Sequence, residues 1–251
     1  MGRSIFGDVI ARSSATKSEL ARRADVSRTT VLSVTVDQSR ARVDTLRELA
    51  LALGYDLVIE LEHASDPLAA AAARVMLGES DLRATVDDRD LDAWIARLTR
   101  YVDADADGRL DTLDLLTEAA GVSAPHHRAG AVLLSGRNDT DRLVSAGRAS
   151  GVEWALSGSA SLEALGADPG KTVVFWAQDA KLVAELLAGT HRRVKTPTAA
   201  DVIVAPAHPT VFAGSTTIED VNLVTPVQGV IDAIATGGVD REIAMTLAGS
   251  W

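Results

Sequence analysis

Cysteine is absent from the 251 residues, and aromatic side chains make up only 4% of them. Without a thiol the chain can hold no disulfide and no thiolate metal centre, which fits a reducing compartment. No apolar run approaches the roughly 20 residues that cross a bilayer. The opening residues also lack a basic stretch followed by an apolar core and a small-residue cleavage site. Secretion and membrane insertion are therefore not expected, and a cytoplasmic protein is. The five histidines, His63, His126, His127, His191 and His208, show no helical metal spacing. No Ser/His/Asp set can be assembled from local context, so each histidine is read as solvated or structural and no catalytic residue is assigned. Gly166-Ala-Asp-Pro-Gly170-Lys171-Thr172 has one residue too few between its glycines for a phosphate-binding loop. Gly158-Ser159 resembles the opening of a nucleotidyltransferase motif, but the paired aspartates that should follow are missing. Internal repeats and low-complexity tracts are absent too. An enzyme is not expected.

What is present is a chain 47% hydrophobic, with room for two or three small domains. Its 35 acidic against 25 basic residues leave a net charge of -10. The excess is uneven. Between Arg12 and Arg47 the bases Arg12, Lys17, Arg22, Arg23, Arg28, Arg40, Arg42 and Arg47 outnumber the acids Glu19, Asp25, Asp37 and Asp44. A local basic face can neutralise phosphates while an acidic remainder repels non-specific contact with a duplex.

That basic region carries helical spacing. Lys17 to Ala24 places Leu20, Ala21 and Ala24 on one face, Asp25-Val26 reads as a turn, and Ser27 suits the N-cap of a helix over Arg28 to Val36. Val31 and Val34 point to an interior, leaving Arg28, Thr29, Thr30 and Ser33 outward. A closing helix over Val43 to Leu53 buries Leu46, Leu49, Ala50 and Leu53 and ends at Gly54. The run from Ser18-Glu-Leu-Ala-Arg-Arg through Thr45-Leu-Arg-Glu-Leu resembles the helix-turn-helix of Cro/C1-type regulators, over about the first quarter of the chain. That family often has glycine where this chain has Asp25. The resemblance implies a dimer on double-stranded DNA. Arg28, Thr29, Thr30 and Ser33 would read bases, and Lys17, Arg22, Arg40 and Arg42 would make further DNA contacts. The alternative is a plain helical bundle with a basic, hydroxylated face.

Tyr55 to Glu62 reads as a strand, and His63 to Pro67 as a boundary. An alanine-rich helix over Pro67 to Leu77 and an amphipathic one over Asp90 to Val102 follow, the latter with Leu91, Trp94, Ile95, Leu98, Tyr101 and Val102 on one side. Directly after it, Asp103-Ala-Asp105-Ala-Asp107-Gly108-Arg109-Leu110-Asp111-Thr-Leu-Asp114 resembles an EF-hand loop. Alternate carboxylates around a tight glycine turn deliver the several oxygens a calcium ion needs. Asp103, Asp105, Asp107, the Arg109 carbonyl and Asp114 would be the ligands. Asp114 stands where a longer glutamate is usual, and only one such loop is visible. An aspartate-rich turn whose acids cap and solubilise two helices is the other reading. No cofactor is required in either case, and calcium is the one candidate.

From Gly151 onward, short apolar strands over 152–157, 172–176, 202–205 and 221–224 alternate with helices over 180–187, 227–235 and 241–247. The landmarks Ala155-Leu-Ser-Gly-Ser-Ala160, Thr225-Pro-Val-Gln-Gly-Val-Ile-Asp232 and Gly237-Gly-Val-Asp-Arg-Glu-Ile-Ala244 are similar in order to the C-terminal domain of AbiEi-family antitoxins. That family implies repression of its own operon and a nucleotidyltransferase-type toxin as partner. Its proteins usually open with a winged helix-turn-helix, which this chain does not. Taken singly, Pro226, Gln228 and Asp232 are explicable as structure. The expected fold is α+β: a helix-turn-helix bundle over 1–63, a helical middle over 64–128, and a mixed α/β domain over 129–251. The expected function is a dimeric, sequence-specific transcriptional repressor, with toxin neutralisation and calcium response as alternatives.

Overall fold

The computed structural model describes residues 5–86, 88–104, 108 and 110–251. It divides into two compact units, one ending at Glu62 and the other His63–Trp251.

In the first unit the described helices are α1 (Ile5–Arg12), α2 (Lys17–Arg23), α3 (Arg28–Val36) and α4 (Val43–Ala52). They enclose Phe6, Ile10, Leu20, Ala21, Ala24, Val31, Val34, Leu49 and Ala50. Helices this short are marginal alone and persist because such a face is buried. Capping sets their starts: the Thr16 hydroxyl accepts the Glu19 amide at 3.2 Å and Ser27 accepts the Thr30 amide at 3.0 Å. Helix α1 was not anticipated, although Ile5, Phe6, Val9 and Ile10 repeat at helical spacing. The strand expected over Tyr55 to Glu62 does not form. A strand needs a neighbour for its backbone groups, and among the described residues none pairs with this segment.

The second unit is built on a mixed sheet of β1 (Val132–Gly136), β2 (Trp154–Gly158), β3 (Val173–Ala177), β4 (His191–Arg193), β5 (Val202–Pro206), β6 (Thr216–Ile218) and β7 (Val221–Leu223). Their order is β4-β1-β5-β3-β2-β7-β6. β3 runs parallel to β5 and β2 to β7, and the other neighbours are antiparallel. Side chains alternate across a strand. Phe175 therefore faces one cluster, with Leu134, Leu156 and Val204, and Trp176 faces another, with Ala155, Ile203 and Ala205. α8 (Thr140–Ser150) and α10 (Ala180–Leu187) supply Leu143 and Val183 to the Phe175 side. A Cβ at Gly147 of α8 would run into the Trp154 indole, so this contact requires glycine.

The remaining helices are α5 (Pro67–Met76), α6 (Asp88–Tyr101), α7 (Thr112–Ser123), α9 (Ser159–Ala164), α11 (Pro209–Phe212), α12 (Pro226–Thr236) and α13 (Gly238–Ala248). One core joins Ala70, Leu91, Leu98 and Leu116 to Leu162, Ile231 and Ala244. No break in packing falls at 128, where the sequence suggests a boundary: His63–Trp251 is one compact unit. The physical reason is size: a layer built on the alanine-rich α5 buries too little surface to stand alone, and α5 and α7 both pack on α12. Tyr101, expected on the buried side of α6, is exposed. The class is α+β, and no helix among the described residues is long and apolar enough to cross a membrane.

Candidate functional site

The outward face of α3 gathers the residues singled out from sequence. The chain turns from α2 into α3 at Asp25, which adopts φ +50°, the left-handed conformation that favours glycine and that aspartate tolerates better than most. Arg28, Thr29 and Ser33 are exposed and Thr30 is half-buried. Their chemistry differs. The Thr30 hydroxyl lies 2.8 Å from that of Ser27, and Ser33 donates to the Thr30 carbonyl at 2.9 Å. The side chains of Arg28 and Thr29 engage no partner among the described residues. Two residues that sequence reasoning missed share this face: Leu32 is 40% exposed and Val36 78%. Their i+4 and i+8 spacing from Arg28 was the available signal.

A groove of about 400 Å³ runs beside α3, lined in part by Thr30, Ser33, Arg40, Arg42 and Thr45. Arg42 is the N-cap of α4 and supplies no side-chain cap, so the first-turn amides there are left to solvent. Arg40 reaches Asp37 only at 3.9 Å, and Arg22 and Arg42 are exposed, with Lys17 half-buried.

In the acidic loop, Asp105, Asp107 and Arg109 lie outside the described residues. Asp103 is exposed, Gly108 has φ +77°, and the Asp111 carboxylate accepts the Asp114 amide at 2.9 Å to start α7. The donors described are carboxylates of the kind a hard cation binds, and the glycine turn stands at the sixth position of the pattern. Among the described residues no group of three or more His, Asp or Glu side chains converges as a metal ligand set.

The second unit holds a polar network that sequence reasoning did not find. Arg74 is fully buried and donates to Glu79 at 2.8 Å and to the carbonyls of Thr210 and Ala213, each at 2.6 Å. It also lies 3.4 Å from the Gln228 side-chain oxygen, and Gln228 in turn donates to Asp232 at 2.9 Å. Ser157 and Trp176 donate to the other Asp232 oxygen at 2.5 and 2.7 Å. Burial pushes the Asp232 carboxyl up to about 6, against the pull of these three donors and of Arg128. This network ties α5, α12 and two strands together, which is a structural role.

Beside it, the rings of His63 and His127 stack at 4.2 Å with 9° between planes, and His126 lies 4.1 Å from His127. Burial first, and then the neighbouring His127 and His63, lower His126 to about 4. The Arg128 guanidinium sits 5.3 Å over the Trp176 ring. Stacked rings do not aim their nitrogens at one point, so the cluster is no metal cage. Only the His126-His127 pair was visible in the sequence.

The Gly166–Thr172 turn is occupied from within. Asp240 accepts the Lys171 amide at 2.7 Å and the Thr172 amide at 3.0 Å, the donors a phosphate would use. Comparison of the chain with protein-family models, with curated proteins and with solved structures finds no match.

Proposed function

We propose that this protein is a sequence-specific DNA-binding regulator of the helix-turn-helix kind, acting as a dimeric repressor in the cytoplasm. One observation carries the reading: α2 and α3, joined through the left-handed Asp25, bury Leu20, Ala21, Val31 and Val34 while α3 leaves Arg28, Thr29, Ser33, Leu32 and Val36 outward. A short helix held from behind and presented this way fits a major groove, about 12 Å wide. Arg28 supplies a fork for guanine, and Thr29, Leu32 and Val36 supply methyl groups that match thymine. Arg40, Arg42 and the uncapped start of α4 suit the phosphates alongside, with Lys17 and Arg22 as further contacts. Fluorescence anisotropy on the DNA upstream of its own gene, against a scrambled duplex, tests the reading, with selective binding expected.

The likeness of the last hundred residues to AbiEi antitoxins adds a nucleotidyltransferase-type toxin as a candidate partner. Co-purification with a nucleotidyltransferase encoded beside it tests that. The turn at Gly108 and the Asp111 cap favour a second, compatible role, in which calcium held by Asp103, Asp105, Asp107, the Arg109 carbonyl and Asp114 adjusts the packing of α6 and α7.

A further inference from the structure

Residues 55–62 have the composition of a strand and no strand partner among the described residues. Tyr55, Leu57, Ile59 and Leu61 alternate with Asp56, Val58, Glu60 and Glu62, the pattern of a half-buried strand. Yet Leu61 is 97% exposed, Val58 74%, and Tyr55 and Ile59 60% each. The Tyr55 amide donates to Ala50 at 2.9 Å and the Leu57 amide to Asp56 at 2.9 Å. Beyond Leu57 no backbone hydrogen bond of the segment is made among the described residues. A run this apolar left in water marks an interaction surface.

The sheet of the second unit has an open edge of matching kind. β4 is the terminal strand and pairs only with β1 among the described residues. The Val194 amide donates inward to Leu133 at 2.9 Å, so by alternation the Arg193 backbone points its donor and acceptor away from β1. Arg192, Arg193 and Lys195 are exposed along this edge, and Val194 and Leu133 are partly buried beside it. The edge is basic in a chain whose net charge is -10. Cations on an edge turn away neutral strands. They accept an acidic one.

We infer that residues 55–62 of one copy of this chain add as a strand to the β4 edge of a second copy. Asp56, Glu60 and Glu62 would lie on the face of Arg193 and Lys195, and Ile59 and Leu61 would extend the apolar surface of Leu133 and Val194 on the other. The backbone bonds give affinity and the charges give partner choice. Two-fold symmetry makes the contact twice, once in each direction, and closes the assembly at two chains. This inference does not rest on DNA binding.

The absence of cysteine makes the test direct. Full-length Glu60→Cys or Glu62→Cys chains are mixed with Arg193→Cys or Lys195→Cys chains, oxidised and run without reductant, with Glu118→Cys, an exposed position on α7, as control. A disulfide-linked heterodimer well above the control level is expected. Light scattering of the uncrosslinked protein should give the mass of two chains. It should fall to one for Glu60→Lys with Glu62→Lys, and for Arg193→Glu with Lys195→Glu, and return towards two when those variants are mixed. Crosslinks only between like variants, or the control level throughout, would each overturn the proposal. So would a two-chain mass that both charge reversals leave unchanged.

Discussion

The indole N–H of Trp176 donates to the Asp232 carboxylate at 2.7 Å, from the strand at the centre of the sheet to the helix that covers it. Three side-chain donors converge on this one buried acid. Asp232→Ala should therefore lower unfolding free energy by roughly 1–3 kcal/mol for each donor left unpaired. Asp232→Asn, which keeps one acceptor oxygen, should lose less. Urea denaturation midpoints check the order of the two variants.

The pH dependence has two opposed parts. Asp232 titrates near 6 in the fold against 3.8 unfolded, so its ionisation lowers stability as pH rises through that window. His126 is lowered to about 4 from 6.5, so its protonation lowers stability as pH falls through 6.5 towards 4. The two slopes oppose each other in the wild type. His126→Gln should gain stability relative to wild type as pH drops from 6 to 4, and Asp232→Asn should lose it. Identical pH slopes for the two variants and the wild type would contradict both assignments.

Asp25 holds φ +50° between α2 and α3. Asp25→Gly should leave stability unchanged or raise it slightly, whereas Asp25→Val should cost about 1–2 kcal/mol because a branched Cβ resists the left-handed region. Thermal melts of the full chain compare them. The reverse order would mean that the turn relaxes to another conformation.

Calcium offers a separate check on the acidic loop. Calorimetric titration at millimolar calcium should show heat that Asp103→Ala with Asp114→Ala removes. Heat that the double variant keeps would place any binding elsewhere.

Much of the helical part was legible because its signals are local. The spacing of Leu20, Ala21, Val31 and Val34, the cap at Ser27, and Pro at 67 and 226 all act within one or two turns. β2, β3, β5 and β7 were visible as short apolar runs, the first three of them buried on both faces. β4 and β6 have three residues each, and β4 carries two arginines, so no apolar pattern announces them. The Tyr55–Glu62 segment failed as a strand for the opposite reason: its pattern is right, and pairing depends on a neighbour the pattern cannot name. The buried Arg74 was illegible because, Glu79 apart, its partners lie 136 to 154 residues away. At the candidate DNA face, sequence placed the arginine and hydroxyls of α3. It did not show that Ser27 and the Thr30 carbonyl already engage two of those hydroxyls.

That difference sharpens the central test. The full-length protein and Arg28→Ala are titrated by fluorescence anisotropy, at physiological salt, against the DNA upstream of the gene and a scrambled duplex. Tight, selective wild-type binding is expected, and for Arg28→Ala a loss of about 1–3 kcal/mol confined to the selected sequence. Equal weak binding to both duplexes, or none, would contradict it and leave the α3 face without a DNA partner.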